Sequence, residues 1–331
     1  MTATHYDVVG IGNAIVDIIA RCDDAMLAKH GMAKGHMRLV DGATIAALYD
    51  GIGPAVEISG GSAANTLAGI ASLGGRGGFI GKVADDEFGR IFAHDIRSIG
   101  VAFTASPVAG GEPTARCLIL VTPDGERTMN TFLGISPAFE ARDIDAEMIA
   151  AAEIVYLEGY LFDRPAAKEA FRTAAAIAKR AGRRVALSLS DGFCVDRHRD
   201  EFRALVRDEV DILIANESEI TSLYQTTDFE AAARQAAADT RLAALTRSAM
   251  GSVIIAGGER IAVPATSVAA VVDTTGAGDL YASGFLYGVA TAKPLDIAGR
   301  LGSLAAAEVI GHVGARPQVA LAALAREHGL L

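Results

Sequence analysis

Cysteine is scarce in this 331-residue chain: Cys22, Cys117 and Cys194 stand far apart, and no C-x-x-C pair occurs. A disulfide framework is thereby excluded, and the three read as reduced thiols of a cytoplasmic protein. The seven histidines are scattered without metal-ligand spacing, so none is assigned a role. No window of 18 uncharged apolar residues calls for a membrane. Residues 1–7 lack a basic region followed by an apolar stretch, so no signal peptide is expected. Positive charge is short as well. A net charge of −10 without a basic run argues against nucleic acid or an anionic membrane as the main partner. A polyphosphate ligand would have to be held by local groups or metal ions, because the global field opposes it.

Two common nucleotide fingerprints are also missing. Gly10-x-Gly12 opens like a dinucleotide loop, but Ile15 stands where the third glycine belongs, and Ile15-Val16-Asp17-Ile18-Ile19 reads as strand. A dehydrogenase is disfavoured on that ground. Gly81-Lys82 is followed by Val83 instead of Ser or Thr, and position 76 holds arginine, so this is no Walker loop. Internal repeats and low-complexity tracts are absent.

What is present is a globular composition, 51% hydrophobic and 21% charged, at a length common for α/β folds with an appended lid. Residues 6–11 read as a buried opening strand. A small-residue helix opens near 62 and stops at Gly74-Gly75, a strand is expected at 77–83, and an amphipathic helix at 86–99. From 144 onward strands (154–157, 185–189, 212–215, 242–246) alternate with helices (164–181, 199–206, 229–238). A hairpin at 252–263 precedes helices at 277–291, 295–311 and 317–327. This rhythm implies a parallel sheet covered on both faces. The pieces near 15–50 and 106–134 do not share it. They include strands at 114–121 and 127–132 around Pro123-Asp124-Gly125, and they are expected to form a small β lid over the carboxyl ends of the sheet. The division predicted is a core of 1–14, 51–105 and 135–331 with a lid of 15–50 and 106–134.

The chemistry is concentrated in Val272-Asp273-Thr274-Thr275-Gly276-Ala277-Gly278-Asp279-Leu280. Thr274 or Thr275 can cap the helix that follows, and the glycines leave backbone N–H groups uncovered where the helix dipole adds positive charge. That is an anion site. A carboxylate beside it needs another task, and Asp279 suits removal of a proton from a hydroxyl that attacks phosphate. The helix terminus is expected to keep Asp279 ionised and therefore a weak base. Asp17 lies inside an apolar run, where an unpaired charge is costly, and with Asn13 it can read hydroxyls.

The nine-residue string resembles the C-terminal signature of the PfkB (ribokinase-like) carbohydrate and nucleoside kinases. Gly60-Gly61-Ser62-Ala63-Ala64-Asn65 resembles their N-terminal substrate motif. The resemblance spans nearly the whole chain and implies a three-layer α/β/α core with a mainly parallel sheet and a β-strand lid. It implies ATP-dependent transfer of the γ-phosphoryl group to a primary hydroxyl, with Asp279 as base and Gly276, Ala277 and Gly278 as an anion hole. Arg127 then corresponds to a lid arginine reaching the transferring phosphate, and Asn13, Asp17, Gly60, Gly61, Asn65 and Glu158 to substrate contacts. Asn216-Glu217-Ser218-Glu219 resembles the family's N-x-x-E motif, which organises Mg²⁺ through water at Asn216 and Glu219. A capped helix start would leave the same trace. Thr246, Arg247, Gly251 and Ser303 fall near the nucleotide, Ser303 being shorter than the residue common there. Asp273 and Thr275 match positions that bind a monovalent cation, K⁺, largely through backbone oxygens. Leu280-Tyr281 replaces the commoner Ala-Phe at packing positions. The 124–132 lid segment and the Asn13/Asp17 spacing look most like adenosine kinases. A kinase of a free sugar (ribose, fructose or a keto-sugar acid) stays open, as does a nucleoside- or sugar-binding regulator. The partners expected are a small nucleoside or sugar and ATP, with the chain a monomer or a homodimer.

Overall fold

The computed structural model describes residues 4–331; residues 1–3, part of the stretch read for a leader, lie outside the described residues. Strands of the first half are β1 (Tyr6–Ile11), β2 (Ile15–Arg21), β3 (Met37–Leu39), β4 (Ala55–Gly60), β5 (Gly77–Ile80), β6 (Ala102–Phe103), β7 (Ala115–Val121) and β8 (Arg127–Phe132). Those of the second half are β9 (Ala152–Glu158), β10 (Arg184–Ser188), β11 (Ile212–Asn216), β12 (Leu242–Thr246), β13 (Ser252–Ala256) and β14 (Glu259–Val263). Helices α1 (Asp24–Lys29), α2 (Gly42–Asp50), α3 (Ser62–Ser72) and α4 (Glu87–Ser98) intervene early. Later come α5 (Ala146–Ala150), α6 (Pro165–Arg180), α7 (Gly192–Glu209), α8 (Glu217–Leu223), α9 (Phe229–Asp239), α10 (Ala277–Ala290), α11 (Leu295–Val309) and α12 (Leu321–Glu327).

Nine strands form one sheet in the order β14-β13-β12-β11-β10-β9-β1-β5-β6, parallel except at β12–β13 and β13–β14. The central strands carry near-continuous apolar runs because both faces are covered. On β9, Val155 and Leu157 join the layer containing Phe171 and Ala174 of α6 and Phe202 of α7. Ile154 and Tyr156 face the opposite layer, with Leu67 of α3 and Phe285 of α10. Helix α6 reaches the sheet through Ala167, Ala170, Phe171, Ala174, Ala175 and Ala178, the spacing of one helical face. The result is the three-layer ribokinase-like α/β/α arrangement. Among the described residues no helix is long and apolar enough to cross a membrane.

The second sheet runs β3-β8-β7-β2-β4. Val16, Ile18, Leu118 and Leu120 on one face pack with Leu27 of α1 and Ile45 and Leu48 of α2. Cys117, Ile119 and Val121 cluster on the other face with Ile15, Ile19 and Met129. Three expectations are corrected here. Strand β4 pairs with β2 from Ile15↔Gly60 to Ala20↔Ala55, so it belongs with the second sheet and not with the core segment drawn from residue 51. The stretch at 21–50 holds two helices besides β3, whose backs the first lid face needs as cover. Helix α7 begins at Gly192, capped by Asp191, and absorbs a non-helical residue at His198.

Candidate active site

Strand β4 leads through Gly60-Gly61 into α3, and the loop at 272–276 leads into α10, so two helix N-termini meet below the lid. Helix α10 starts at Gly276, whose φ of 78° is left-handed, and a Cβ there would lie 2.7 Å from the Ala315 Cβ. Neither Thr274 nor Thr275 caps the helix. The Thr275 N–H instead donates to Asp273 Oδ1 at 3.0 Å, because the left-handed glycine fixes the turn by backbone geometry alone. The Ala277 N–H, expected in the anion hole, donates to Thr274 O at 3.2 Å, which leaves the Gly276 and Gly278 amides for an anion.

Asp279 sits in the first turn of α10 and points across to α3. Its carboxylate accepts from Ser62 Oγ at 2.6 Å and from Asn65 Nδ2 at 3.1 Å. Burial raises its proton affinity above that of an ordinary carboxyl, against the lowering effect of Ser62, Asn65 and Arg316. Desolvation at the junction therefore works against the ionisation expected from the helix terminus.

Asp17 projects from β2 toward the same place, and a Cβ on Gly60 would meet its carboxyl carbon at 2.3 Å, which explains the first glycine of the pair. Burial pushes Asp17 up to about 6, although Arg316 and Arg127 lie nearby. Gly61, with φ 94°, takes the N-cap position of α3 without a capping side chain. The missing cap comes from β9. Glu158 Oε2 accepts from the Ala63 N–H at 2.8 Å, and Oε1 accepts from Asn13 N at 3.2 Å and Asn13 Nδ2 at 2.7 Å. Glu158 is buried and both of its oxygens are held by these donors, so the structure places it behind Asn13 and not at the expected substrate contact. It holds Asn13 and the α3 start from behind. Burial pushes it up to about 7.

From the lid, Arg127 at the start of β8 ion-pairs with Asp273, both buried. Its Nε has no partner among the described residues. The Gly314 N–H also donates to Asp273 Oδ2, at 3.0 Å. The Asp273 carboxylate thus accepts from three of the protein's own donors, Oδ1 from the Thr275 N–H and Oδ2 from Arg127 and the Gly314 N–H.

At the start of α8, Asn216 and Glu219 form a reciprocal capping box. Glu219 N donates to Asn216 Oδ1 at 2.9 Å, while Asn216 N and Nδ2 donate to Glu219 at 2.9 and 2.6 Å. Among the described residues no group of three potential ligands is placed to enclose a metal. Glu219 is buried and pushed up to about 7 by desolvation, with Asp191 and Asp279 adding negative charge. A hydrated Mg²⁺ held through its own water fits that excess of carboxylate; a dehydrated ion in a protein cage does not. Thr246 ends β12 and pairs with Ser252 across a turn in which Arg247 N donates to Gly251 O. Arg247 forks onto Glu217 at 3.0 and 3.0 Å. Ser303 is corrected: its hydroxyl accepts from Thr266 N and Oγ1 and donates to Pro264 O, which exhausts its capacity and ties the chain after β14 to α11.

Comparison with known proteins bears on this geometry. The family model "pfkB family carbohydrate kinase" matches residues 55–320. The chain belongs to that family. The adenosine kinase structure from Sinorhizobium meliloti is 53% identical, with a TM-score of 0.89, covering 98% of this chain and 99% of that one. A probable sugar kinase from Rhizobium etli is 50% identical, with a TM-score of 0.91 and 99% and 100% covered. The ATP-dependent ribose-1-phosphate kinase of Halopiger xanaduensis is 32% identical over 267 residues, 78% of this chain and 83% of its own. As a pfkB kinase the chain is an ATP-dependent phosphotransferase acting on an alcohol group of a nucleoside or sugar.

Two site residues escape sequence reasoning. Ser62 lies within the quoted diglycine motif and was detectable there as the hydroxyl beside the helix start. Arg316 left no trace. It lies in the loop after α11 and donates from Nε to Asn65 Oδ1 at 3.0 Å and from Nη2 to Ser59 O and, at 2.9 Å, to Ser59 Oγ.

Proposed function

We propose that this pfkB kinase transfers the γ-phosphoryl group of ATP to the 5′-hydroxyl of adenosine, giving AMP. Asp279 takes the hydroxyl proton, and its raised affinity makes it a better base than an exposed aspartate, suited to a loose transition state in which the proton leaves late. The amides of Gly276 and Gly278 receive the charge that builds on the phosphoryl oxygens, each contributing on the order of 3 kcal/mol. Arg127, fixed to Asp273, keeps its Nε–H for a phosphoryl oxygen. Asn13 and Asp17 read the ribose hydroxyls, Asn13 through the oxygen that its bond to Glu158 leaves free. Mg²⁺, held through water at Glu219 and Asn216, supplies positive charge that offsets the ATP phosphates. Lid closure keeps water from the phosphoryl group.

The observation that carries the nucleoside over the free sugar is the character of the lid. The sheet face that bears Asp17 carries Arg127 and Thr131 on β8 and is apolar elsewhere, with Ile15, Ile19, Cys117, Ile119, Val121 and Met129 in one cluster. A purine attached to the ribose gains from covering such a face, whereas a free sugar there would leave hydroxyls unpaired. The S. meliloti relative supports this reading, and the R. etli relative supports the sugar alternative. ATP consumption with adenosine, ribose, fructose and a keto-sugar acid as acceptors tests it. Adenosine should exceed the sugars in kcat/KM by at least tenfold; turnover of free sugars alone refutes it.

A further inference from the structure

Arg316 lies outside the sequence motifs that marked the site, yet it sits at the centre of the acceptor side. Its guanidinium reaches two elements at once. Nε donates to Asn65 Oδ1 in the first turn of α3, and Nη2 donates to the backbone and hydroxyl oxygens of Ser59 on the lid strand β4. Ser59 in turn donates through N and Oγ to Asp95 Oδ2 of α4, at 2.8 and 2.6 Å. The chain Asp95–Ser59–Arg316–Asn65 therefore ends on Asp279, and every link in it has a fixed direction.

We propose that Arg316 is a positioning residue for the base, acting by orienting Asn65 and by holding a positive charge beside Asp17 and Asp279. The orientation follows from donor arithmetic. A guanidinium only donates, so Asn65 must turn its oxygen toward Arg316 and its NH₂ toward Asp279, where Nδ2 lies 3.1 Å from Oδ2. An asparagine in the opposite orientation would press a carbonyl oxygen against the carboxylate. The charge matters because the carboxylates converge. Asp279 is faced by Asp17 on β2, Tyr156 and Glu158 on β9, Tyr160 just beyond, and Glu219 on α8, and among the described residues Arg316 is the positive charge that acts on it appreciably. Removing that charge makes Asp279 harder to ionise, and a protonated Asp279 cannot accept the hydroxyl proton.

This assignment rests on Asp279 acting as the base, so the experiment separates the two. The pH dependence of kcat and kcat/KM is measured with MgATP and adenosine, or D-ribose if the wild type turns over that acceptor instead. The variants are Arg316→Gln, Arg316→Lys and Asp279→Asn, with folding checked by thermal unfolding and ATP binding. Glutamine keeps a donor for Asn65 but no charge, so the acidic limb should move up by about one pH unit or more. Lysine keeps the charge but not the fork, so the limb should stay within a few tenths of a unit while kcat falls about tenfold or more. ATP KM should stay within twofold in both. If Asp279→Asn is inactive and both arginine variants lose activity equally at every pH, Arg316 is merely structural and the proposal fails. If Asp279→Asn keeps its turnover and its acidic limb, the base assignment has failed and takes this one with it. Wild type that turns over neither of these acceptors, nor fructose or a keto-sugar acid, overturns both. Where Arg316→Gln does not fold, Arg316→Lys alone decides, since a limb shifted by a full unit with charge retained contradicts the assignment.

Discussion

Arg127 on the lid strand β8 and Asp273 in the turn before α10 form a buried ion pair 146 residues apart, joining lid to core directly above the anion turn. Asp273 also receives the amides of Thr275 and Gly314, so the second sheet is fastened to the loop that leads into α10. Truncating one partner leaves the other charge buried and unpaired, a loss of about 3–5 kcal/mol at such sites. Arg127→Ala and Asp273→Ala should each lower kcat at least about 100-fold, and the double variant should lose far less than the product of the two. Amide exchange in β7 and β8 should quicken in every one of these variants. Multiplicative losses with unchanged exchange would show that the pair does not hold the lid.

Asp279 has hydrogen-bond donors on both oxygens and a burial that raises its proton affinity, the state of a base awaiting a proton. Asp279→Asn should cut kcat by at least about a thousandfold, within the range that general-base loss produces. ATP affinity by calorimetry should stay within a factor of two to three, because the asparagine still fits the pocket. Turnover within tenfold of wild type would remove the base assignment.

Gly276 combines a left-handed φ of 78° with an Ala315 Cβ 2.7 Å from where its own Cβ would stand. Gly276→Ala therefore meets backbone strain of about 1 kcal/mol and a clash in one place. Either the 314–316 loop retreats, disturbing Arg316, or the turn flips and withdraws the anion donors. The expected readout is a kcat reduced about 100-fold with a thermal midpoint lowered by a few degrees. A fully active Gly276→Ala enzyme would show that the amides of this turn do not stabilise the transferred group.

The elements of the core were legible because their periods are strong: β9 is a continuous apolar run and α6 a regular alanine face. Short-range motifs were legible too, since glycines at 60–61 and 276–278 have few other uses beside a carboxylate. Less visible was anything whose reason lies across the fold. Strand β4 has an exposed Val56 and a weak pattern, and only pairing with β2 makes it part of the lid. Glu158 read as a site-facing acid because its three donors come from Asn13 and Ala63, which sequence separation conceals. Arg316 is 251 residues from Asn65, and a lone arginine in a loop carries no mark of such a partner.

Glu158 also makes a prediction about stability. Burial raises its folded value from 4.5 to about 7, so the folded chain binds its proton more tightly than the unfolded chain does. Stability from this group is then fully present below about 4.5 and is lost as pH rises through about 7. Asp17 at about 6 and Glu219 at about 7 act in the same direction. The interval from 4.5 to about 7, at ~1.4 kcal/mol per pH unit, sets a ceiling of about 3 kcal/mol for Glu158 alone. The ligand-free enzyme should accordingly resist urea better near pH 5 than near pH 8. Glu158→Gln copies the protonated acid in shape and charge, so it should flatten that dependence by a measurable share of the ceiling. Its KM for the acceptor should rise as well, because one amide oxygen cannot serve both Asn13 and the Ala63 N–H, which in the wild type donate to separate oxygens. Denaturation midpoints of variant and wild type that run parallel from pH 5 to pH 8 would mean that Glu158 keeps an ordinary carboxyl affinity, and that the Asn13 and Ala63 donors offset its burial completely.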